Sequence, residues 1–126
     1  MLKSLEQERA RYAWDCINEV IAQKNIEGKY SSYVKRAPTL IQTNGLGNTL
    51  AFYSSKKKDE PAYRLLYQHI DCWFKKKGHS DQDIFEWIIS EDTSSLNTFQ
   101  VTKEILALLN WMKRFAEAKL EGEESE

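Results

Sequence analysis

Amide, hydroxyl and basic side chains are concentrated between residues 35 and 58, and their types suit the binding of a charged polymer backbone. The hydrogen-bonding members are Thr39, Gln42, Thr43, Asn44, Asn48 and Thr49, and the basic members are Lys35, Arg36 and Lys56 to Lys58. Lysine and arginine neutralise phosphates without reading sequence, and amides can donate hydrogen bonds to phosphate or ribose. The same residues are equally compatible with a solvated corner between two helices, in which the amides cap the turn. The local chemistry leaves both interpretations open.

These side chains are predicted to lie on a helical hairpin that turns at Asn44-Gly45-Leu46-Gly47. Apolar residues fall at helical spacing on both sides of the turn: Tyr30, Tyr33, Val34, Ala37 and Ile41 before it, then Leu46, Leu50 and Tyr53. Gly45 can adopt a positive φ after a helix end, and Leu46 can fold back as the hydrophobic contact of that cap. Pro38 lies inside the first helix of the hairpin, where the apolar stripe continues in phase. We therefore expect a kink there rather than a break.

Helical periodicity predicts six helices, over residues 3–26, 29–44, 46–57, 61–77, 81–90 and 97–120. With 126 residues, two prolines and five glycines, the chain is long enough for one hydrophobic core and poor in turn formers. We predict an all-α fold, with a single compact bundle of about six helices over residues 1–120 and a disordered acidic tail over 121–126. Gly28 is expected to end the first helix or lie just beyond it. Ser80 and Asp83 predict a capping box for the fifth helix.

The last helix is the most apolar, and its apolar residues form two seams. One seam is Ile105, Leu109, Met112 and Ala116, and the other is Leu108, Trp111 and Phe115. Such a helix either lies at the centre of the bundle or is covered on one side by another molecule. Trp14 lies off the main apolar stripe of the first helix, which leaves it as a core edge or an interface aromatic.

Residue patterns typical of catalysis or metal binding are missing from the sequence. His69 and His79 form no HExxH, HxxxH or HxH arrangement, and there is neither a phosphate-binding glycine loop nor a GxSxG elbow. By helical spacing, His69 is predicted to be a packed edge residue, and His79 to cap a helix end or face water. Cys16 and Cys72 form no CxxC pair and are predicted to be buried free thiols in a reducing cytoplasm. We therefore predict no enzyme activity, no cofactor and no metal.

The formal net charge of −1 conceals an uneven distribution. Residues 1–78 carry 14 Lys and Arg against 8 Asp and Glu, a balance of +6, whereas residues 79–126 carry 4 against 11, a balance of −7. Such a split favours head-to-tail stacking, or one face toward RNA and another toward a basic neighbour, although it is also compatible with chance surface composition. The charged N-terminus and the lack of a long apolar run predict neither a signal peptide nor a membrane span.

Two segments carry a resemblance to a known family. Residues 38–56, PTLIQTNGLGNTLAFYSSK, resemble the signature of the small all-helical subunit of type III-B CRISPR effector complexes, the RAMP-module (Cmr) complexes. Residues 102–123, TKEILALLNWMKRFAEAKLEGE, resemble that family's closing helix, and with the N-terminal helix the likeness spans most of the chain. The family often places an aromatic-basic pair just before the Thr-x-Glu that Thr102 and Glu104 match. This chain has Thr98-Phe99 there, which leaves a basic contact at those positions unsupported.

The resemblance implies a non-catalytic cytoplasmic subunit that acts in antiviral defence. Members of the family stack along the guide RNA and help hold target RNA, while other subunits cut RNA and make signalling nucleotides. The implied partners are other effector subunits, especially the repeat-forming backbone subunit, further copies of this chain, and the guide–target duplex or target RNA. The candidate phosphate contacts are Lys35, Arg36 and Lys56 on the hairpin and Lys113 and Arg114 on the last helix. Lys57, Lys58 and Lys75 to Lys77 rank below these because cations in a last turn already offset the helix dipole.

Two alternative hypotheses use the same residues differently. The chain could be a helical adaptor between proteins that never contacts RNA, with the charge split and the second apolar seam serving only subunit stacking. It could also be a small ribonuclease that uses His69 and a nearby carboxylate.

Overall fold

Residues 4–122 are the part of the chain that the computed structural model describes, and they form six helices with no strand among them. The helices are α1 (Leu5–Ile21), α2 (Lys24–Asn44), α3 (Leu46–Lys56), α4 (Pro61–Lys76), α5 (Ile84–Ile89) and α6 (Ser95–Lys119). Both α2 and α6 pack on α1, on α4 and on each other, and α3 packs on α2, α4 and α5. The all-α prediction is confirmed. The predicted tail falls mostly on residues 123–126, which lie outside the described residues.

The predicted boundary between the first two helices is wrong. Helix α1 ends at Ile21, the chain turns at Ala22 and Gln23, and Gly28 lies inside α2 rather than ending α1. The early turn lets Ile26 point back into the core, where it is 5 % exposed. Burying such a side chain contributes about 1.5–3 kcal/mol, whereas a glycine in a helix interior costs about 1 kcal/mol. Tertiary burial therefore outweighs the local preference of Gly28.

The predicted capping box at Ser80 and Asp83 is also wrong, because Asp83 itself is the N-cap of α5. Its carboxylate accepts hydrogen bonds from the backbone N–H groups of Phe85 and Glu86 and from the hydroxyl of Tyr67. Ser80 instead accepts from the N–H of Gln82 in the preceding loop. The bond from Tyr67 joins α4 to the start of α5, a contact between distant residues that local sequence rules do not contain.

The hairpin between α2 and α3 turns at a single residue, Gly45, as predicted. Gly45 has φ 88° and ψ 157°, a region that is essentially restricted to glycine, and its N–H donates to the carbonyl of Ile41 at 2.7 Å. Leu46 follows at once and is 2 % exposed, so it anchors α3 in the core. A Cβ added to Gly47, the next residue, would lie 3.2 Å from Cγ2 of Ile88, which shows how closely α3 approaches α5. The position of Pro38 inside an uninterrupted α2 agrees with the expectation that the helix continues through it.

Three helices meet at the carboxylate of Glu104 on α6. Arg9 of α1 donates to it through Nε at 2.8 Å and Nη2 at 2.7 Å, and the indole Nε1 of Trp73 on α4 donates at 2.9 Å. Burial favours the protonated acid, but the bonds from Arg9 and Trp73 outweigh it, so the pKa of Glu104 lies below that of an ordinary glutamate. The glutamate of the Thr-x-Glu pattern therefore has a structural role.

The remaining core predictions are met in part. The seam of Ile105, Leu109, Met112 and Ala116 is fully buried, as is Leu108 of the second seam, whereas Trp111 and Phe115 are half-buried, so α6 lies centrally with one edge partly open. Trp14 is half-buried, with its ring against Phe115 at 5.1 Å, so it lies at the edge of the core. Cys16 is buried and free, as predicted, but Cys72 is exposed, so that part of the prediction is wrong. Cys72 lies on the outer side of α4, one residue before the buried Trp73.

We predict that Gly45→Ala lowers the free energy of unfolding by about 1–3 kcal/mol, because a Cβ is strained at this backbone conformation. Thr43→Ala, in the same turn but with helical backbone and an exposed side chain, should change it by less than about 0.5 kcal/mol. Urea denaturation followed by circular dichroism measures both. Equal effects of the two substitutions would contradict the assignment of strain to Gly45.

We predict that Glu104→Ala destabilises the fold by about 2–4 kcal/mol, because it leaves the guanidinium of Arg9 and the indole of Trp73 without their shared acceptor. Glu117→Ala, on an exposed turn of the same helix, is the matched control and should stay within about 0.5 kcal/mol. A double-mutant cycle with Arg9→Ala then measures the coupling between Arg9 and Glu104. Additive effects in that cycle would show that the pair does not act as a unit.

Candidate nucleic-acid interface

Four aromatic rings from three helices form one cluster near the hairpin, which we call the aromatic cluster: Tyr33 of α2, Phe52 and Tyr53 of α3, and Tyr63 of α4. Tyr33 and Tyr63 are stacked, with centroids 3.7 Å apart and planes 7° apart, and Phe52 meets Tyr63 edge-on at 5.5 Å. The hydroxyl of Tyr33 donates to Glu60 at 2.9 Å, at the N-cap of α4. The cluster therefore fixes the relative orientation of α2, α3 and the beginning of α4. Its outermost ring, Phe52, is 40 % exposed.

Two of the predicted RNA-binding residues lie on this cluster. The guanidinium carbon of Arg36 lies 5.6 Å from the ring centroid of Tyr33, and Nζ of Lys56 lies 5.9 Å from that of Phe52. Burial raises the pKa of Tyr63, while the nearby positive charge of Arg36 opposes that rise. The structure thus brings Arg36 of α2 and Lys56 of α3 to the same aromatic cluster, although they are 20 positions apart in the sequence.

The other three predicted residues lie elsewhere. Lys35 is half-buried and reaches toward the end of the described chain, where a Cβ on Gly122 would lie 3.8 Å from its Nζ. Lys113 and Arg114 line a depression of about 500 Å³ on α6, together with Asn110 and Glu117. The five residues therefore form one pair on the aromatic cluster, one pair on α6, and Lys35 between α2 and the end of α6.

What the five cations share is the lack of a carboxylate partner within residues 4–122. Some other cations have one, since Arg9 pairs with Glu104, Lys75 with Asp71 at 2.8 Å, and Lys77 with Glu8, whereas others, such as Lys76 and Lys103, also lack one within residues 4–122. Ion pairing thus accounts for Lys75 and Lys77, and both also lie in the last turn of α4 or just beyond it. The positive charge of Lys35, Arg36, Lys56, Lys113 and Arg114 remains available to an anion.

A third basic surface contains two lysines that ranked low as candidates from the sequence and one arginine that the sequence did not indicate. A depression of about 590 Å³ between α3 and α4 is lined by Lys57, Lys58 and Arg64, with Tyr67, Gln68, Ser54, Asp71 and Asp83. Arg64 donates to the backbone carbonyls of Lys57 and Lys58 at 3.0 and 3.1 Å, and Nζ of Lys57 lies 3.8 Å from the ring centroid of Tyr67. Sequence rules had assigned Lys57 and Lys58 to the helix dipole. Arg64 gave no signal because its partners are carbonyls of another helix end.

His69 lies in a polar cluster inside the bundle, 5 % exposed. Its Nε2 lies 2.9 Å from the carboxylate of Glu19 and its Nδ1 lies 2.7 Å from the hydroxyl of Tyr30. A carboxylate only accepts, so we place the proton on Nε2, which donates to Glu19, while Nδ1 accepts from Tyr30. Burial lowers the pKa of His69, and the bond to Glu19 offsets this only in part. Both ring nitrogens have partners from α1 and α2, so this geometry does not favour the ribonuclease hypothesis.

Neither a metal centre nor a membrane span is found among residues 4–122. No group of three His, Cys, Asp or Glu side chains in the described part of the chain could hold a metal ion. No described helix is both long and apolar enough to cross a membrane. His79 is exposed and lies against the ring of Phe74 at 5.4 Å, as expected for a residue after a helix end.

Comparison with known proteins decides the family. The family model described as CRISPR-associated protein (Cas_Cmr5) matches residues 5–119, which is α1 through α6. The chain belongs to the Cmr5 family. The match includes the hairpin turn, the aromatic cluster and Glu104, and it confirms the resemblance to a small subunit of the type III-B Cmr complexes.

Individual Cmr5 proteins are similar over nearly their whole length. The CRISPR system Cmr subunit Cmr5 of Thermus thermophilus is 27 % identical over 121 residues, 95 % of this chain and 99 % of that protein. The subunit of the same name from Thermotoga maritima is 28 % identical over 129 residues, 99 % of this chain and 92 % of that protein. The crystal structure of a CRISPR-associated Cmr5 family protein from Thermus thermophilus superposes with a TM-score of 0.78 at 28 % identity, covering 94 % of this chain and 100 % of that one.

We predict that the chain loses stability as the pH falls below about 6.5, the ordinary pKa of histidine, because His69 is kept neutral in the fold. Its folded-state pKa is lowered, so the unfolded chain binds the proton first, and stability is full above the unfolded pKa and declines toward the folded one. The decline is at most about 1.4 kcal/mol per pH unit.

Urea denaturation at several pH values between about 5 and 7.5 measures the slope that we expect for His69. His69→Gln should be less stable overall but should lack this slope, whereas His79→Gln, which changes an exposed ring, should keep it. An unchanged slope in His69→Gln would assign the pH dependence to another group. The lowered pKa of Glu104 changes the free energy of unfolding only at pH values below the ordinary glutamate range, so it does not contribute between about pH 5 and 7.5.

Proposed function

We propose that this Cmr5-family chain is a non-catalytic small subunit of a type III-B effector complex that helps hold target RNA along the guide RNA in antiviral defence. Membership of the Cmr5 family supports the assignment to a Cmr complex. The observation that supports the RNA contact is that Arg36 and Lys56 lie over rings of one aromatic cluster and, like the other three candidate cations, have no carboxylate partner among residues 4–122. A cation without a carboxylate partner gains more free energy on binding a phosphate than a cation that must first break an ion pair.

The pair on the aromatic cluster is the strongest contact that we propose. Arg36 and Lys56 lie over aromatic rings, which limits the conformations of their long side chains before any RNA arrives. A preorganised cation loses less conformational entropy on binding. Such contacts fix the position of the RNA backbone, while pairing with the guide supplies the sequence specificity. Lys113 and Arg114 on α6 and Lys35 near the chain end extend the positive surface.

The partners that we propose on the protein side are the repeat-forming backbone subunit and further copies of this chain. Three large apolar side chains remain exposed where α5 and α6 begin or end: Ile89 at 62 %, Leu96 at 63 % and Phe99 at 59 %. Lys103 lies over the ring of Phe99 at 5.5 Å. Exposed apolar residues close together in the chain are typical of a contact surface. The same residues favour the second candidate function, a protein adaptor that does not contact RNA.

The proposal places the chain in the cytoplasm, where guide and target RNA meet, without a cofactor or a metal of its own. It assigns the cutting of RNA to other subunits. Incubating the purified chain with labelled RNA, with and without divalent metal, tests this part directly: intact RNA is expected, and metal-dependent cleavage that is lost in His69→Gln would instead support the ribonuclease hypothesis.

We predict that Arg36→Glu combined with Lys56→Glu weakens the binding of target RNA by the assembled complex on the order of tenfold or more at low salt. The slope of the logarithm of the binding constant against the logarithm of the salt concentration should also fall, by the amount expected for about two phosphate contacts per copy. The physical reason is the loss of two phosphate contacts and their replacement by like charge. Filter binding or fluorescence anisotropy over a series of salt concentrations measures both quantities.

The matched control is Lys76→Glu combined with Lys119→Glu. These two lysines are also exposed and also lie over aromatic rings, at 6.0 Å from Tyr12 and 4.2 Å from Trp14, so the control changes the net charge equally on other faces. RNA affinity should be close to that of the unchanged chain, provided that gel filtration shows normal assembly. If both pairs of substitutions left RNA binding unchanged in intact complexes, the adaptor function would be favoured.

A further inference from the structure

The chain stays against α2 after α6 has ended. Helix α6 ends at Lys119, and Leu120 has extended backbone, with φ −96° and ψ 145°. Leu120 is 8 % exposed, so the first residue after the helix still belongs to the core. The direction in which the chain continues is therefore set by contacts with the bundle.

A buried carboxylate on α2 holds this exit. Glu27 is 5 % exposed, and its Oε2 accepts a hydrogen bond from the backbone N–H of Glu121 at 2.8 Å. Its Oε1 lies 3.7 Å from Nζ of the exposed Lys24. Water would satisfy a backbone N–H at this position equally well, whereas burying a carboxylate is costly. The specific effect of Glu27 is thus to hold the backbone at residue 121 in one direction.

That direction leads to Lys35. Glu27, Ser31 and Lys35 are spaced by four residues, so they form a row along one side of α2. Ser31, in the middle of the row, is fully buried, and Lys35 is half-buried. A Cβ on Gly122 would lie 3.8 Å from Nζ of Lys35. Within two residues the chain passes from the carboxylate of Glu27 to the ammonium group of Lys35.

The sequence that follows Gly122 is strongly negative. Residues 123–126, which we call the acidic end, are Glu-Glu-Ser-Glu, three carboxylates in four positions. An extended residue spans at most about 3.3–3.6 Å, so the carboxylates of the first two can reach Nζ of Lys35 from Gly122. Lys35 has no carboxylate partner within residues 4–122. The charges on the two sides of this contact are complementary.

We propose that the acidic end binds across Lys35 and competes with RNA phosphate for it, so that the chain itself limits RNA binding at this part of its positive surface. This inference rests on the proposed function and regulates one of its phosphate contacts. Arg36 lies over the ring of Tyr33 on the aromatic cluster, so the adjacent cation keeps its own contact with RNA. A partly exposed ion pair corresponds to about two- to fivefold in a binding constant. The acidic end therefore adjusts the affinity for RNA and does not abolish it.

The reaction rate of Lys35 tests the contact without RNA. Acetylation of the full chain by a small reagent is followed at each lysine by mass spectrometry. In Glu123→Gln combined with Glu124→Gln and Glu126→Gln, Lys35 should react severalfold faster, because the acidic end no longer covers its ammonium group. Lys56, in the same molecule but on the aromatic cluster, is the internal control and should keep its rate. An unchanged rate at Lys35 would overturn the proposal.

The role of Glu27 is tested by Glu27→Leu, which keeps a side chain of similar size and removes the acceptor for the N–H of Glu121. Lys35 should then react faster even though every carboxylate of the acidic end is present. Circular dichroism checks that the helices are intact. A rate equal to that of the unchanged chain would overturn the role of Glu27 in directing the chain end.

A double-mutant cycle in the assembled complex tests the competition with RNA. Neutralising the acidic end should raise the affinity for target RNA about two- to fivefold at low salt, and the gain should vanish when Lys35→Gln is also present. A gain of equal size in the Lys35→Gln background would reflect net charge alone and would overturn the competition. The matched control neutralises three exposed acids in the loops on either side of α5 and should give no gain that depends on Lys35: Asp81→Asn, Glu91→Gln and Asp92→Asn.

Failure of this inference is distinguishable from failure of the proposed function. If Arg36→Glu with Lys56→Glu weakens RNA binding while neutralising the acidic end changes neither the rate at Lys35 nor the affinity, the RNA interface stands and the competition is lost. If no variant changes RNA binding in intact complexes, the proposed RNA contact and the competition both fail, whatever the rate at Lys35.

Discussion

The bidentate pair between Arg9 and Glu104, with the indole of Trp73 on the same carboxylate, is the interaction on which the arrangement of the helices most depends. It joins α1, α4 and α6 at a point that is largely shielded from water, where an unpaired charge would be costly. The apolar seams of α6 are compatible with many packing arrangements that differ by sliding or rotation of the helix, but the three directional hydrogen bonds are compatible with only one of these arrangements. A second polar centre, His69 with Glu19 and Tyr30, joins α4 to α1 and α2 in the same way. Hydrophobic burial supplies the driving force, and these two centres select the register.

The surface formed by α2 and α3 stays positively charged because the acids that could neutralise its cations have other partners. Glu60 accepts from the hydroxyl of Tyr33, and Asp83 caps the start of α5. Arg36 and Lys56 are left over aromatic rings with their charge uncompensated.

Two glycines differ in how far their own backbone decides the structure. Gly45 was predicted to end a helix and does so, because its φ of 88° disfavours other residues whatever the surroundings. Gly28 was predicted to end the first helix or lie just beyond it and instead lies inside α2, because its backbone is helical and the burial of Ile26 decides where α1 stops. The capping of α5 follows the same logic, since the choice of Asp83 depends on Tyr67, 16 residues away. Features that one residue's own backbone imposes were predictable, and features that depend on a distant partner were not.

The amino-acid sequence by itself determined the helical class, the number of helices, the hairpin turn and the family, because periodicity, glycine stereochemistry and a long motif are local properties of the chain. It also identified the candidate cations and amides, by type and by their proximity along the chain. Only the tertiary structure decided which of them share a surface. Arg36 and Lys56 lie on the same aromatic cluster because Tyr33, Phe52 and Tyr63 bring three helices together, whereas Lys35, next to Arg36 in the sequence, points toward the end of α6. Adjacent residues on a helix are about 100° apart, so sequence neighbours face different ways and a common face arises only from packing.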